Sequence, residues 1–335
     1  MIVSVLRSAG IDPTYLVGGG LNDVGTNARF GRADIAVAES DESDGSFLLL
    51  DPAVAVITNI EEDHLEYWGS FAAIREGFEK FVRRVRAGGS VILPVQEAHL
   101  GGLVTGVQVV TFGDGGEVHA DEVSLAPQGA RFTLVTPSGS IGVRLRVPGL
   151  HNVSNALAAA AAALVSGVPL EGVATGLAGY KGVERRFQIR GRERGVTVID
   201  DYAHHPTEVR ATLAAARPGP WDRLVAVFQP HRYSRTAQLH RDFGRSFEHA
   251  DWVVVMDVYG AGEAPVPGVS GKLVADAICS ALPGRPVAYL PHRKDLMSYL
   301  ESHARSGDAL ITLGAGDVSS VGEELLARLH ADRST

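Results

Sequence analysis

The stretch VTVIDDYAHHPTE, residues 196–208, contains a complete transition from a β-strand to an α-helix. Val196–Ile199 is a short apolar run rich in β-branched residues, which is typical of a buried strand. After a polar segment come Pro206 and Glu208, two residue types that favour the first turn of a helix. We therefore expect the polar loop at 200–205 to be fixed between two rigid elements.

The same arrangement recurs along the rest of the chain and predicts an α/β fold. Further apolar runs, each followed by a helical pattern or a loop, lie at residues 224–228, 252–256, 287–290 and 309–313. Five such strands predict a small, Rossmann-like doubly wound sheet, and we assign it to a carboxyl-terminal domain of residues 189–335. Open sheets of this kind bind ligands beyond the carboxyl ends of their strands, so the loops there are the candidate site.

The first part of the chain predicts a second domain, residues 1–188. Buried strands are expected at 35–38, 54–58 and 90–93, with helices at 1–9 and 71–86, which indicates a parallel sheet with covering helices. Residues 117–147 have turn signals and strand patterns typical of antiparallel hairpins, and a helix follows at 153–165. Residues 179–195 show no clear periodicity, and we interpret them as a hinge.

The composition excludes several classes of protein. The chain has 335 residues and a formal net charge of −8, which argues against sequence-independent binding of nucleic acid and against a polybasic membrane surface. Its longest apolar stretch, at 156–165, is too short to span a bilayer. The single cysteine, Cys279, cannot form an internal disulfide. These features predict a cytoplasmic protein.

Acidic side chains follow two of the predicted strands of the first domain. Glu39, Asp41, Glu42 and Asp44 come directly after one strand, and the segment ending in His64 follows the next. Carboxylates at such spacing repel one another unless a cation lies among them. Two adjacent acidic strand ends favour a site for magnesium and phosphate, although the first segment alone is equally typical of a solvated acidic loop.

Other polar groups allow a functional or a structural interpretation. His151 and Asn155 share one helix face and could contact a flat ligand such as adenine, but capping by Asn152 or packing explains them equally well. Arg185 and Arg186 are either surface charge or contacts to a phosphoryl group. Arg232 and Arg235 could hold a small carboxylate bidentately.

Two glycine-rich segments do not match the nucleotide-binding motifs they approximate. No segment has the form G-x-x-x-x-G-K-[ST]; residues 268–273 have the wrong spacing and lack the hydroxyl group. Residues 314–317 begin like a dinucleotide fingerprint, but Ser319 replaces its third glycine and too little chain follows for another strand. A dehydrogenase is therefore disfavoured.

Six segments together resemble the Mur ligase family of peptidoglycan synthesis, in order and over essentially the whole chain. They are AESDESD at 38–44, TNIEEDH at 58–64, HNVSN at 151–155, RRF at 185–187, DDYAHHPTE at 200–208 and QPHRYSRT at 229–236. The resemblance is strongest to members that join L-alanine to UDP-N-acetylmuramate. It implies a central ATPase-type sheet with a small antiparallel β portion, followed by the doubly wound domain.

The resemblance also implies roles for individual residues and two cofactors, ATP and Mg²⁺. In the implied reaction, the muramate carboxylate attacks the γ-phosphate of ATP to form an acyl phosphate, and the amine of L-alanine then displaces phosphate. The implied catalytic residues are His64, Arg186 and His204. The implied contacts are Glu39 and His64 for magnesium, His151, Asn155, Arg186 and Asp201 for ATP, and Tyr202, His204, His231, Arg232 and Arg235 for L-alanine and the substrate carboxylate.

The sequence departs from the family pattern at its beginning. Family members have an amino-terminal UDP-binding domain and a phosphate loop before the helix at which this sequence starts. A mis-set start, a gene fragment and a split enzyme with a separate amino-terminal polypeptide are all compatible with this difference, and we expect residues 1–335 alone to be inactive. A non-catalytic interaction module and the related ligase that recycles a tripeptide are the alternative functions.

Overall fold

The structure, a computed structural model, describes residues 1–22 and 25–331. The chain divides into two compact units, Met1–Glu184 and Arg185–Thr335. The division between Glu184 and Arg185 lies close to the boundary expected between residues 188 and 189.

The first unit contains short strands and several helices. Its elements are α1 (Ile2–Ser8), β1 (Thr14–Leu16), β2 (Ala28–Arg29), β3 (Ala36–Ala38), β4 (Val54–Val56), α2 (Leu65–Trp68), α3 (Phe71–Val82), β5 (Ser90–Pro94), β6 (Gln108–Phe112), β7 (His119–Ala126), β8 (Gly129–Thr136), β9 (Gly139–Leu145), α4 (Leu150–Val165) and α5 (Leu170–Gly179). Two 3₁₀ helices lie at Ser46–Leu49 and Val95–Leu103.

The strands of the first unit form three-stranded sheets of different kinds. Strand β1 lies between β2, to which it is antiparallel, and β3, to which it is parallel. Strands β4, β5 and β6 are parallel, whereas β7, β8 and β9 form an antiparallel meander. The antiparallel portion and the parallel pairing of β4 with β5 are thus confirmed. Strand β3, which was expected in the same sheet, instead pairs with β1, so β3 and β4 are not adjacent strands of one sheet.

The alanine-rich helix α4 lies at the centre of the first unit. Every residue from Ala156 to Ala163 is buried, and the helix contacts α1, α5 and strands of the parallel and the antiparallel sheets. Alanine has a small side chain, so neighbouring backbones can approach this helix closely on all sides. A helix that is apolar all round belongs in a core, and here it joins two sheets that share no strand.

The second unit is a single six-stranded sheet covered by helices. Its elements are β10 (Gln188–Glu193), β11 (Val196–Asp201), α6 (Pro206–Ala216), β12 (Arg223–Phe228), α7 (Tyr233–Leu239), α8 (Phe243–Ser246), β13 (Trp252–Val255), α9 (Gly271–Ala281), β14 (Val287–Tyr289), α10 (Arg293–His303), β15 (Asp308–Leu313) and α11 (Ser319–Ala331).

The strand order β10-β11-β15-β12-β13-β14 confirms the doubly wound fold. All neighbours are parallel except β10 and β11. Alternate residues of the central strands pack on opposite faces: Ala309 and Ile311 contribute to the core beneath α6, α8 and α9, whereas Leu310 contributes to the core beneath α10 and α11. Burial on both faces explains why these strands are almost continuously apolar.

The structure corrects the expected elements in two places. Residues 188–193 form strand β10, although the lack of clear periodicity at 179–195 predicts an irregular hinge. Helix α3 ends at Val82 and not near Arg86, because the N–H group of Arg86 donates to the carbonyl of Pro52, at 3.1 Å, and turns the chain toward β5.

The described helices do not include a candidate transmembrane helix. None of them combines the length and the apolar character that a bilayer-crossing helix requires.

Helices α1 and α5 approach so closely that one position requires glycine. A Cβ atom at Gly176 would overlap the backbone of Val5. We predict that Gly176→Ala lowers the free energy of unfolding by about 1–3 kcal/mol, because overpacking outweighs the better helix propensity of alanine. Chemical denaturation measures the change. Gly179→Ala is the control, since no atom lies within 4 Å of its Cβ position; an equal loss there would contradict the packing argument.

Candidate active site

The candidate site of the second unit lies at the carboxyl edge of its parallel sheet. Asp201 pairs with Leu313, and Phe228 pairs with both Leu313 and Val255, so β11, β15, β12 and β13 all end at one level. The loops that follow these strands contain the polar residues predicted to bind substrate. The sheet register therefore brings segments distant in sequence to one edge.

Asp201 is a buried carboxylate at the end of β11, with a side chain held by backbone donors. It is 4% exposed; its Oδ1 accepts from the N–H group of Ala203 and its Oδ2 from that of Phe187, both at 2.8 Å. Burial raises the pKa of Asp201 to about 6, against the opposing effect of the Arg186 charge and of the backbone donors. The carboxylate thus joins the turn before β10 to the loop after β11. Its contact to ATP stays a prediction.

The turn at residues 185–187 is conformationally strained. Arg185 and Phe187 have φ values of 58° and 48°, in a region that residues with side chains rarely adopt. The Arg185 guanidinium compensates by donating to Asp200 Oδ2 at 3.2 Å and to the carbonyl of Gly314 at 2.8 Å. Arg185 therefore anchors the turn to the ends of β11 and β15.

The two neighbouring arginines have different surroundings. The ring of Tyr202 lies 5.0 Å from the Arg185 guanidinium carbon and 5.5 Å from that of Arg186. Arg186 Nη1 lies 3.2 Å from Glu208 Oε1, and its side chain is about half exposed. Arg185 thus has a structural role, while a contact between the more exposed Arg186 and ATP stays a prediction.

Glu208 forms the central contact between the loop after β11 and helix α6. Its Oε2 accepts from the N–H groups of His204 and His205, at 2.9 and 3.2 Å, in a capping box that satisfies the start of the helix. The same oxygen lies 3.4 Å from His204 Nδ1. Burial acts to raise the pKa of Glu208, but the charges of His204 and Arg186 outweigh it, so the pKa is lowered.

Four aromatic rings form a row across the loops after β11, β12 and β13. The centroid distances are 5.3 Å from Tyr202 to His204, 5.6 Å from His204 to His231 and 5.8 Å from His231 to Tyr259. Burial lowers the pKa of His231 to about 4, and the charges of His204, Arg235 and Arg232 add to that effect. His231 is therefore neutral near pH 7.

Arg232 and Arg235 flank this row at the start of helix α7. Arg232 has a φ of 67° and lies 3.7 Å from Glu263, which also accepts hydrogen bonds from the backbone and hydroxyl groups of Ser234. Arg235 is 6% exposed and its Nη1 lies 3.4 Å from His231 Nδ1. The structure thus places both predicted guanidinium groups next to His231, one partly exposed and one buried.

The loop after β15 is braced by Gln229, the first residue after β12. Gln229 Nε2 donates to Asp317 Oδ1 at 2.7 Å, and its Oε1 accepts from the N–H group of Val318 at 3.2 Å. A Cβ atom at Gly316 would collide with Gln229 and Tyr259. Gly314 and Gly316 consequently allow close packing of the loops at this sheet edge.

In the first unit, the segments that follow β3 and β4 contact each other. The indole Nε1 of Trp68 in α2 donates to the carbonyl of Glu42 at 2.7 Å. Glu39, directly after β3, is exposed, and its Oε2 accepts from the N–H group of Gly18 at 3.1 Å. His64 directly precedes α2. The contact joins the two segments at Glu42 and Trp68, while a common metal site for Glu39 and His64 stays a prediction.

The donors around His64 are compatible with magnesium bound in part by phosphates. His64 Nε2 lies 3.6 Å from Asp63 Oδ2, and its Nδ1 lies 3.5 Å from Glu66 Oε1. Within residues 1–22 and 25–331, no group of three or more acidic, histidine or cysteine side chains could enclose a metal ion. Mg²⁺ commonly binds through one or two carboxylates together with substrate phosphates and water, and the carboxylates of Asp63 and Glu66 beside His64 are ligands of that kind.

His151 and Asn155 are both exposed on one face at the start of α4. Packing in the core therefore does not explain them. Asn152 does not cap the helix, whose N-cap is Gly149; its Nδ2 donates to the carbonyl of Pro148 at 2.7 Å and lies 3.1 Å from His151 Nε2. An exposed polar pair remains consistent with the predicted adenine contact.

Several residues of the candidate site were not predicted from the sequence. Glu208 was recognised only as a favourable first-turn residue, although the pattern of a polar N-cap followed by glutamate three residues later was a signal for its backbone contacts. Gln229, Tyr259 and Asp317 had no such local signal. Their contacts arise because the sheet brings three loops together.

Two family models match the chain and assign it to a class of enzyme. The Mur ligase middle domain matches residues 12–163, and the Mur ligase glutamate ligase domain matches residues 185–316. The chain belongs to the Mur ligase family, whose members are ATP-dependent ligases.

Two named relatives and one solved structure are similar to nearly the whole chain. UDP-N-acetylmuramate–L-alanine ligases of Desulforamulus reducens and Rubrobacter xylanophilus are 44% and 49% identical to this chain, over 98% of its length and 72% and 74% of theirs. The crystal structure of UDP-N-acetylmuramate-alanine ligase from Thermotoga maritima is similar, with a TM-score of 0.80 at 28% identity, over 99% of this chain and 72% of that one.

The titration of His231 tests the electrostatics of the ring row. We predict that His204→Gln raises the pKa of His231 from about 4, because a neighbouring positive charge is removed, while burial keeps it below 6.5. The depressed pKa contributes stability that is present above pH 6.5 and is lost as the pH falls through about 4. NMR titration of the imidazole measures the shift. His249→Gln should leave it unchanged, and a His231 titration near 6.5 in the unaltered protein would contradict the prediction.

Proposed function

We propose that this protein joins L-alanine to UDP-N-acetylmuramate in an ATP-dependent step of peptidoglycan synthesis, in the cytoplasm. The observation that carries the proposal is the row of Tyr202, His204 and His231 beside Arg232 and Arg235, at the carboxyl edge of a doubly wound sheet. The names of relatives that are 42–49% identical support the choice of substrates.

The proposed reaction has two steps, formation of an acyl phosphate and formation of the amide bond. A carboxylate oxygen of the muramate attacks the γ-phosphorus of ATP, so a new P–O bond forms and the bond to ADP breaks. The neutral amine of L-alanine then attacks the carbonyl carbon of the acyl phosphate, phosphate leaves with the electron pair of the C–O bond, and the second proton of the attacking nitrogen passes to the departing phosphate. The ammonium group of free L-alanine must lose a proton first, so the site requires a base close to the amine.

The charges around His231 suit an amino acid in its zwitterionic form. Arg232 offers the planar donors that recognise a carboxylate, and its ion pair with Glu263 limits where the guanidinium lies. His231 is neutral, so it adds no positive charge against the ammonium group. The half-buried His204, one ring along the row, is the proposed base.

We assign magnesium to Glu39 and His64, adenine to His151 and Asn155, and further ATP contacts to Arg186 and Asp201. Magnesium, when bound, offsets negative charge on the phosphate oxygens. The half-exposed guanidinium of Arg186 supplies a second positive charge that can approach the transferred phosphoryl group.

One assay separates the proposed function from its alternatives. ADP formation by the protein as its gene encodes it is measured with UDP-N-acetylmuramate and L-alanine, with glycine, D-alanine and the tripeptide as competing acceptors. L-alanine-dependent ADP formation supports the proposal. ADP formation only with the tripeptide would indicate the recycling reaction. Binding without turnover of any acceptor, also when a separate amino-terminal polypeptide of the family is supplied, would indicate an interaction module.

We predict that Arg232→Ala raises the KM for L-alanine about tenfold or more and leaves the KM for ATP nearly unchanged. The reason is the loss of a charged hydrogen bond, which costs about 1.5–3 kcal/mol. Steady-state ADP formation measures both constants. Arg241→Ala, which removes an exposed arginine of the same unit, is the control. Equal weakening of both substrates would contradict the assignment of Arg232 to the amino acid.

We predict that His64→Ala lowers kcat at least about tenfold, as expected for the loss of a group that orients a metal site. His64 has a φ of 54°, a strained conformation that alanine would share, so the substitution should cost little stability through the backbone. Turnover at several magnesium concentrations and thermal unfolding are measured together. The exposed His99 provides the control His99→Ala. A His64→Ala protein that loses stability but keeps its turnover would exclude His64 from the magnesium site.

A further inference from the structure

Glu208 contacts two functional candidates through different oxygens. Its Oε1 lies 3.2 Å from Arg186 Nη1, and its Oε2 lies 3.4 Å from His204 Nδ1. The backbone N–H groups of His204 and His205 also donate to Oε2 and fix the position of the carboxylate at the first turn of α6. The carboxylate is thus held by the helix start and contacts both side chains from that position.

The hydrogen bonds of His204 define which ring nitrogen carries its hydrogen. Nδ1 lies 3.0 Å from the carbonyl oxygen of Tyr202, and because a carbonyl can only accept, Nδ1 must be the donor. In the neutral ring the basic lone pair is then on Nε2. When Nε2 takes a proton, the resulting positive charge lies next to the carboxylate of Glu208, which stabilises it.

We propose that Glu208 is a positioning residue that holds His204 and Arg186 through its two carboxylate oxygens. One side chain then fixes the position of two groups. These are the base for the ammonium group of L-alanine and the cation beside the phosphoryl group. This inference rests on the proposed function and deepens it. In the step concerned, an N–H bond of the ammonium group breaks, its proton moves to His204 Nε2, and the freed electron pair attacks the acyl phosphate.

The charged groups around Glu208 determine the direction of the expected effects. Arg186 and His204 stabilise its charged form, and the buried Asp201 opposes it. His204 in turn faces His231 in the ring row. Removing the negative charge of Glu208 therefore leaves His204 next to positive groups and disfavours its protonated form.

The test is Glu208→Gln, because glutamine retains an oxygen that accepts the two backbone hydrogen bonds but has no charge. We expect kcat to fall about tenfold or more, the KM for L-alanine to change less than about twofold, and the acidic limb of the kcat profile to move to lower pH. The NMR titration midpoint of His204 should move in the same direction. Asp295→Asn, which removes an exposed carboxylate from the first turn of α10, is the control.

A double-mutant cycle with Arg186→Ala tests the second contact. If Glu208 positions Arg186, the effects of the two substitutions on kcat are less than additive. Additive effects, or an unchanged pH profile and His204 titration in Glu208→Gln, would overturn the inference. If Glu208→Gln lowers the melting temperature as much as Glu208→Ala, the role is only structural. Absence of L-alanine-dependent ADP formation, also when a separate amino-terminal polypeptide of the family is supplied, would refute the proposed function instead, and the NMR titration would still test the contact to His204.

Discussion

The buried carboxylate of Asp201 connects two segments that the sheet alone leaves apart. One oxygen accepts from Ala203 in the loop after β11, and the other accepts from Phe187 in the strained turn before β10. The position of Arg186 depends on that turn, and the arrangement of Tyr202 and His204 depends on that loop. A buried carboxylate that accepts from two backbone N–H groups has little freedom to move, so it fixes the two segments relative to each other.

Much of the doubly wound unit could be predicted from the sequence because its strands are buried on both faces. Runs such as Leu224–Phe228 and Ala309–Leu313 contain almost no polar residue, and that pattern leaves few alternatives. Strand β10 could not be predicted in this way. Its residues are half-buried or exposed, and Arg190 and Arg192 interrupt any apolar period, so only pairing with β11 makes it a strand.

Some residues of the candidate site can be predicted from the local sequence, whereas their contact partners depend on the arrangement of distant segments. His204, Arg232 and Arg235 lie in segments with many polar groups at strand ends, and local pattern with family resemblance was sufficient to select them. The partners of these residues could not be selected that way. Glu263 lies after β13 and contacts the start of α7, while Asp317 lies after β15 and contacts Gln229. Such pairs depend on strand order, which no single segment encodes.

The two edge strands of the six-stranded sheet determine how readily the sheets of two molecules can pair. An edge strand offers unpaired backbone groups to any other strand, and a flat apolar edge therefore promotes association between molecules. Strand β10 carries arginines at positions 190, 192 and 194 at or beside that edge, and Arg190 forms an ion pair with Glu323. At the opposite edge, β14 has three residues, Val287–Tyr289. One edge is charged and the other is short, so neither offers a long apolar template for intermolecular β-pairing.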